Sequence, residues 1–310
     1  MPEDALPKSL FKYTAFNSAL LCIENSTLYW SSVASFNDPF EYACTFFNKG
    51  NENAVTSRYF ATGVISNPST FQIFNNDRGL VSLVGRFHKG LVTFNEVENY
   101  INNYLLSTDA PIKAGKPVKL MTIVRNIFVK QMTDYYKTPL GNKSGVLCLT
   151  DNSCEKSSRL MWSHYAENHH GVCVKLNTDR LINVSNNIKT KIRKVKYQEE
   201  MPKITYEDFL GYASQLFPEH WENLCQKMTF TKSNEWEYEN EYRSLIFVNN
   251  NSRAIPVDKS TFESLYLGLR ISDSNKRAIL EVVKKHMPHL KVYQTELIKD
   301  KYSLTYQPIF

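Results

Sequence analysis

The spacing of apolar and polar residues changes along this chain, and each change predicts an element. Residues 10–16 read as a short strand, and Asn17 can cap a helix running to Glu24. Asn25-Ser26 supplies a turn. Residues 27–33, rich in β-branched and aromatic side chains, predict a second strand. Phe36-Asn37-Asp38-Pro39-Phe40 predicts a loop, because Asn, Asp and Pro together favour turns.

The period then lengthens. Residues 95–106 and 118–136 carry helical spacing, with a break at Gly115-Lys116-Pro117, whereas residues 51–86 are polar and less regular. The stretch of about 48–143 therefore reads as a mostly helical insertion in a single domain spanning 1–310. Beyond it, residues 146–150 form a buried-type strand. A helix over 157–169 ends at Gly171, which fits the left-handed position after a helix end. Strands follow at 172–176 and 192–197. Residues 202–228 read as helical apart from Pro218, and 241–248 as a strand. A helix over 275–286 is stopped by Pro288, and strands at 290–296 and 302–306 close the chain. The fold expected is α+β, with a mixed, mostly antiparallel central sheet and a helical insertion.

The densest chemistry lies in Trp236-Glu237-Tyr238-Glu239-Asn240-Glu241-Tyr242-Arg243. If a strand begins at Glu239, then Glu239, Glu241 and Arg243 share one face. Two acids and a base beside an aromatic are costly to bury for packing alone. Drawn as a helix, Glu239 and Arg243 instead form an ordinary i,i+4 surface ion pair.

Composition narrows the field only modestly. The net charge of +6 permits an anionic partner without requiring one. Local basic runs, such as residues 189–196, alternate with apolar residues and suit a solvated strand face as well as a phosphate track. Cys22, Cys44, Cys148, Cys154, Cys173 and Cys225 include no C-x-x-C pair and sit mostly in apolar settings, as reduced core cysteines of a cytoplasmic protein do. The N-terminus lacks a cationic start followed by an apolar run. No apolar stretch reaches the ~18 residues that span a bilayer. No P-loop, dinucleotide glycine fingerprint or Gly-x-Ser-x-Gly elbow occurs.

Two further constellations carry polar chemistry. The opening strand–helix–strand can bring Lys12, Tyr13, Ser31 and Ser32 together, and hydroxyls with a cation can hold a ribose or a phosphate. The alternative is that Tyr13 and Tyr29 are core rings. In Arg159-Leu160-Met161-Trp162-Ser163-His164-Tyr165, helical spacing puts Met161 and Tyr165 on one face, while His164 lies off it as a base, a ligand contact or a plain surface residue. His164, His169 and His170 have no metal-binding helix spacing, so no metal is expected.

Several of these segments together resemble the DUF2971 family of uncharacterised, mostly bacterial proteins. They are Phe11-Lys12-Tyr13; residues 28–32 and 35–40, including Asn37 and Asp38; residues 160–166 with His170-Gly171-Val172; and Lys232 through Trp236 with Tyr238, Glu239, Glu241 and Arg243. Thr14 stands where that family usually has arginine. The order Lys12-Tyr13, Ser31-Ser32, Glu239-x-Glu241 also resembles that of ADP-ribosyltransferases, although the related DNA-modifying toxins usually carry histidine where Lys12 stands. That likeness implies an ADP-ribosyltransferase-like sheet and an enzyme that uses NAD as substrate. Glu241 would stabilise charge on the ribose, and Glu239 would steer or deprotonate the acceptor. Ser31 and Ser32 would hold the ribose, Tyr13 or Tyr165 would stack on nicotinamide, Lys12 would contact a phosphate, and Arg243 would keep the acids ionised.

Three functions are therefore open: NAD-dependent ADP-ribose transfer or NAD hydrolysis in a toxin or phage-defence setting; a DNA- or RNA-binding or RNA-processing module; and a non-catalytic sensor whose ligand pocket is lined by Trp162, Trp236 and tyrosines. None of them involves a membrane.

Overall fold

The computed structural model describes residues 6–41, 45–46, 52–66, 77–110, 118–137, 144–151, 159–182, 191–205, 208, 218–247 and 252–309. The chain divides into two compact units. One comprises Met1–Glu41, Leu140–Glu200 and Phe230–Phe310; the other comprises Tyr42–Pro139 and Met201–Thr229.

The first unit is built on an eight-stranded sheet. Its strands are β1 (Ser9–Thr14), β2 (Ser144–Thr150), β3 (Val172–Asn177), β4 (Lys191–Lys194), β5 (Glu241–Phe247), β6 (Phe262–Leu267), β7 (Lys291–Leu297) and β8 (Leu304–Pro308). Their order is β8-β7-β6-β3-β1-β2-β5-β4. Every pairing is antiparallel except β6 with β7, which run parallel and are joined through the helix Asp273–His286. The fold is thus α+β with a large, mostly antiparallel sheet.

Period-two alternation sorts side chains between the two faces of this sheet. Leu10, Val172, Val174, Leu176, Leu265, Leu267 and Val292 join one apolar core with the helices Phe16–Asn25 and Asp273–His286, which contribute Ala19, Ile23, Ile279 and Val283. Phe11, Tyr13, Cys173 and Tyr266 belong to a second, aromatic core under the helix Arg159–Tyr165, with Met161 and Trp162.

The sheet opens at its centre. Strands β1 and β2 share a single register pair, Phe11 with Thr150. Further along β2, Val146 pairs instead with Ser31, each backbone N–H donating to the other's carbonyl at 2.9 Å. Strand β1 is paired along its whole length on its other side, with β3.

The second unit contains the helices Glu52–Ser66, Arg78–His88, Phe94–Ser107, Leu120–Lys137 and Pro218–Thr229. Val97, Ile101 and Leu105, spaced by four, meet Phe60, Val64, Leu80, Val84, Met121 and Val124 in its core. Thr93 and Glu96 close a capping box. Thr45–Phe46 pairs in parallel with Lys203–Ile204.

Several boundaries differ from the sequence expectation. The strand at 27–33 shortens to Thr27–Tyr29, paired with Ala254–Pro256, and Val33–Ser35 winds into a 3-10 turn. The strand at 192–197 breaks at Val195, whose N–H donates to the carbonyl of Glu241; Lys196–Gln198 then pairs with Thr231–Ser233. Of the helix expected over 202–228, Lys203–Ile204 is a strand and Pro218–Thr229 is helical, while residues 206–207 and 209–217 lie outside the described residues. Ala15, not Asn17, precedes the first helix, and the carboxylate of Glu167 accepts its Phe16 N–H at 2.9 Å.

The helix expected over 157–169 ends at Tyr165. Glu167, Asn168 and His169 take the left-handed turn (φ 49°, 52° and 72°) that Gly171 was expected to supply. Gly171 serves close approach instead: a Cβ there would meet the carbonyls of Thr14 and Ala166, and one on Gly268 would meet those of His169 and Gly171. Gly268→Ala is therefore expected to lower stability by about 3 kcal/mol, read from denaturant unfolding, the upper range for overpacking. A loss under a few tenths would show that the turn yields.

Candidate functional site

The acidic motif is assembled by a local reversal. Thr231–Ser233 is a strand, Asn234–Glu239 a 3-10 helix, and Asn240 (φ 47°) a left-handed hinge before β5 begins at Glu241. The strand therefore starts two residues later than the face argument assumed. The hinge, tolerable for Asn, still turns Glu239 and Glu241 onto one centre, the ammonium of Lys232.

Five ionic side chains meet there, none more than 5 % exposed. Lys232 Nζ lies 2.8 Å from Glu239 Oε2, 3.0 Å from Glu41 Oε1 and 3.4 Å from Glu241 Oε2. The Arg243 guanidinium grips Glu241 through Nε to Oε1 (2.7 Å) and Nη2 to Oε2 (2.8 Å), and Nη2 also donates to Glu41 Oε2 at 2.6 Å. The surface ion pair drawn from helical spacing is thereby excluded. Trp236 covers Lys232 at 4.6 Å and Phe36 covers Arg243 at 5.5 Å. Three carboxylates face two cations, leaving one excess negative charge.

The surroundings push the two motif acids apart. Burial would raise Glu241, but the Arg243 charge and hydrogen bonds, with Lys232, overcome it and hold this carboxyl at about 2. Burial raises Glu239; Lys232 pulls it back while Glu241 adds to the rise, and the net direction is upward. For Lys232, burial works against the charge, but Glu241, Glu41 and Glu239 outweigh it and raise its pKa. Tyr165 donates its hydroxyl to Glu239 Oε1 at 2.6 Å, and the Tyr197 hydroxyl accepts the Glu241 N–H at 2.8 Å.

A stability consequence follows with a definite sign. A carboxylate lowered on folding stabilises the protein above its unfolded pKa, and this is lost as pH falls through the folded value. The Glu241 contribution is thus complete at neutral pH and fades from about 4.3 down to about 2. The thermal midpoint of the wild type is expected to fall through that window more steeply than that of Glu241→Gln. Parallel pH curves would contradict it.

A cavity of about 320 Å³ opens where β1 and β2 separate. Lys12, Tyr13 and Ser31 line it, as do Asn37, His164, Tyr165, Glu239 and Glu241. The sequence candidates thus converge in large part. Others stand back. Arg243 is buried against Glu241, and Trp236 lies over Lys232. Ser32, Asp38 and Trp162 do not line the cavity. The carbonyl of Ser32 accepts from Ser35, and Asp38 Oδ1 accepts the Phe40 N–H within the loop. Trp162 is fully buried, edge-on to Tyr13 at 5.3 Å, so it packs the aromatic core.

Two cluster members were not singled out as site residues. Lys232 lay within the quoted motif, but its local neighbours, Thr231 and Ser233, gave no chemical signal. Glu41 carried none, since its partner Arg243 is 202 residues away. Among the described residues, no group of His, Cys, Asp and Glu is arranged to hold a metal, and no helix is long and apolar enough to cross a membrane.

Residues 161–244 match the family model described as protein of unknown function (DUF2971). The chain carries a DUF2971 region there, and it includes Tyr165, Lys232, Glu239, Glu241 and Arg243. No curated protein and no solved structure matches the chain.

Proposed function

We propose that the cavity binds NAD and that the protein is an ADP-ribosyltransferase-like enzyme or NAD glycohydrolase, of the kind used by toxins and phage-defence effectors to modify nucleic acid or protein. One observation carries this reading: Lys12, Ser31, Glu239 and Glu241, drawn from three separate segments, line one cavity. That volume suits a ligand site, and a cation, a hydroxyl and acids match the diphosphate, the ribose and a cationic leaving ring.

Acceptor capacity assigns the acids. A carboxylate offers about four lone-pair sites. Glu241 gives three to Arg243 and Lys232, which makes it a fixed anion and the positioning partner of the pair. Glu239 gives two, to Tyr165 and Lys232, and so keeps capacity for substrate. In this reading, cleavage of the bond between nicotinamide and ribose leaves the pair of bonding electrons with nicotinamide and positive charge on the sugar. Glu239 stabilises that charge and takes the proton of the incoming water or acceptor hydroxyl. Lys12 meets the diphosphate, Ser31 the ribose, and Tyr13 or Tyr165 the ring. Because Glu239 is shifted upward, the acid limb of the rate profile is expected above the ordinary carboxylate pKa of about 4.3.

The test is incubation of purified protein with NAD, with and without DNA, RNA and protein acceptors, followed by chromatographic detection of nicotinamide. Free nicotinamide above the uncatalysed background is expected. Its absence under all these conditions would overturn the proposal.

A further inference from the structure

The ionic cluster and Lys12 give the cavity two differently charged walls. Lys12 lies on β1 and Glu241 on β5, with β2 between them. Phe11, next to Lys12, and Glu241 both pair with Thr150, so at about 4.8 Å per strand spacing the two outer backbones stand roughly 10 Å apart there. The acidic wall holds Glu41, Glu239 and Glu241 against Lys232 and Arg243, with its excess negative charge screened from bulk water by burial. Aromatic rings of Phe11, Tyr13, Phe36 and Tyr165 line the space beside both walls. Ring faces attract cations, and their attraction grows as water is excluded.

We propose that this cavity selects a zwitterionic ligand, a planar aromatic cation joined to an anionic group, and that Glu41 is a specificity-determining residue that supplies the excess charge on the acidic wall. The inference deepens the nucleotide reading and rests on it: a pyridinium nucleotide has this charge pattern, and its reduced, neutral-ring form does not. Glu41 owes its role to arithmetic as much as to position. With it the cluster carries three acids against two bases; without it the count is balanced. Its carboxylate bridges Lys232 (3.0 Å) and Arg243 (2.6 Å), so a neutral amide of the same shape can keep a hydrogen bond to either while removing the charge.

The experiment is a calorimetric titration of the full chain with 1-methylnicotinamide, a cation, and nicotinamide, its neutral counterpart. Wild type is expected to bind the cation about tenfold more tightly, the scale of a partly desolvated cation against rings and a carboxylate. Glu41→Gln is expected to cut the ratio to about threefold or less by weakening the cation alone, while Glu41→Asp, which keeps the charge, retains most of it. Equal affinities in the wild type, undetectable binding of the cation, or a ratio unchanged in Glu41→Gln would each overturn the proposal. The wild-type comparison stands even if a variant folds poorly. Turnover plays no part in these readouts, so loss of charge preference with nicotinamide release intact sinks this inference alone. Charge preference without nicotinamide release instead leaves the binding inference standing and removes the enzyme.

Discussion

Glu239→Gln is expected to lower nicotinamide release by about 10³-fold, within the range for loss of a positioned acid–base and charge-stabilising group, while leaving stability within about 1 kcal/mol. The cluster holds one acid too many, and Glu239 is the acid that its surroundings push upward. Neutralising it leaves Glu41 and Glu241 balanced against Lys232 and Arg243, while the single carbonyl oxygen of glutamine can still accept from Lys232 and its NH2 can donate to the Tyr165 hydroxyl oxygen. Activity and stability therefore separate. Chemical denaturation beside the rate assay checks both. A variant that loses several kcal/mol together with activity would mean that Glu239 is structural.

Arg243→Met is expected to show the opposite pattern, a loss of about 3–5 kcal/mol of stability, as when one partner of a buried pair is removed. Its guanidinium is fully buried and makes three hydrogen bonds to Glu41 and Glu241. Without it, three carboxylates converge on Lys232 alone. Arg243→Lys is expected to recover only part of the loss, since an ammonium cannot reproduce the two-pronged grip on Glu241. Urea unfolding of the two variants beside wild type measures the difference. A loss below about 1 kcal/mol for Arg243→Met, the size typical of an exposed pair, would show that the cluster is better hydrated than its burial implies.

The sheet was the more legible part of the chain. Short strand-like runs marked β1, β2, β3, β5 and β7, and β2 reads as a buried-type strand because it is buried on both faces, at six of its seven positions. Junctions were less legible. Val195 continues the local strand pattern, and only its bond to the Glu241 carbonyl, formed across the fold, shows where the chain changes partner. Nothing local marks Glu167, Asn168 and His169 as left-handed, because their conformation is held by Gly171 and Gly268 pressing close. The site was legible where its members are neighbours in sequence, as Glu239, Glu241 and Arg243 are. Glu41 follows a loop motif and meets its partners only after folding, so no spacing rule could find it. Trp162 read as a pocket residue because a tryptophan beside a histidine suits either a cleft or a core, and burial alone decides.

A crystal structure of the protein with a non-hydrolysable NAD analogue tests the central claim most directly. The account predicts nicotinamide among the aromatic rings near Tyr13 and Tyr165, the diphosphate at Lys12, and the ribose between Ser31 and Glu239 with its reacting carbon within about 3.5 Å of the carboxylate. An analogue seated elsewhere, or one that leaves the opening between β1 and β2 empty at saturating concentration, would contradict it.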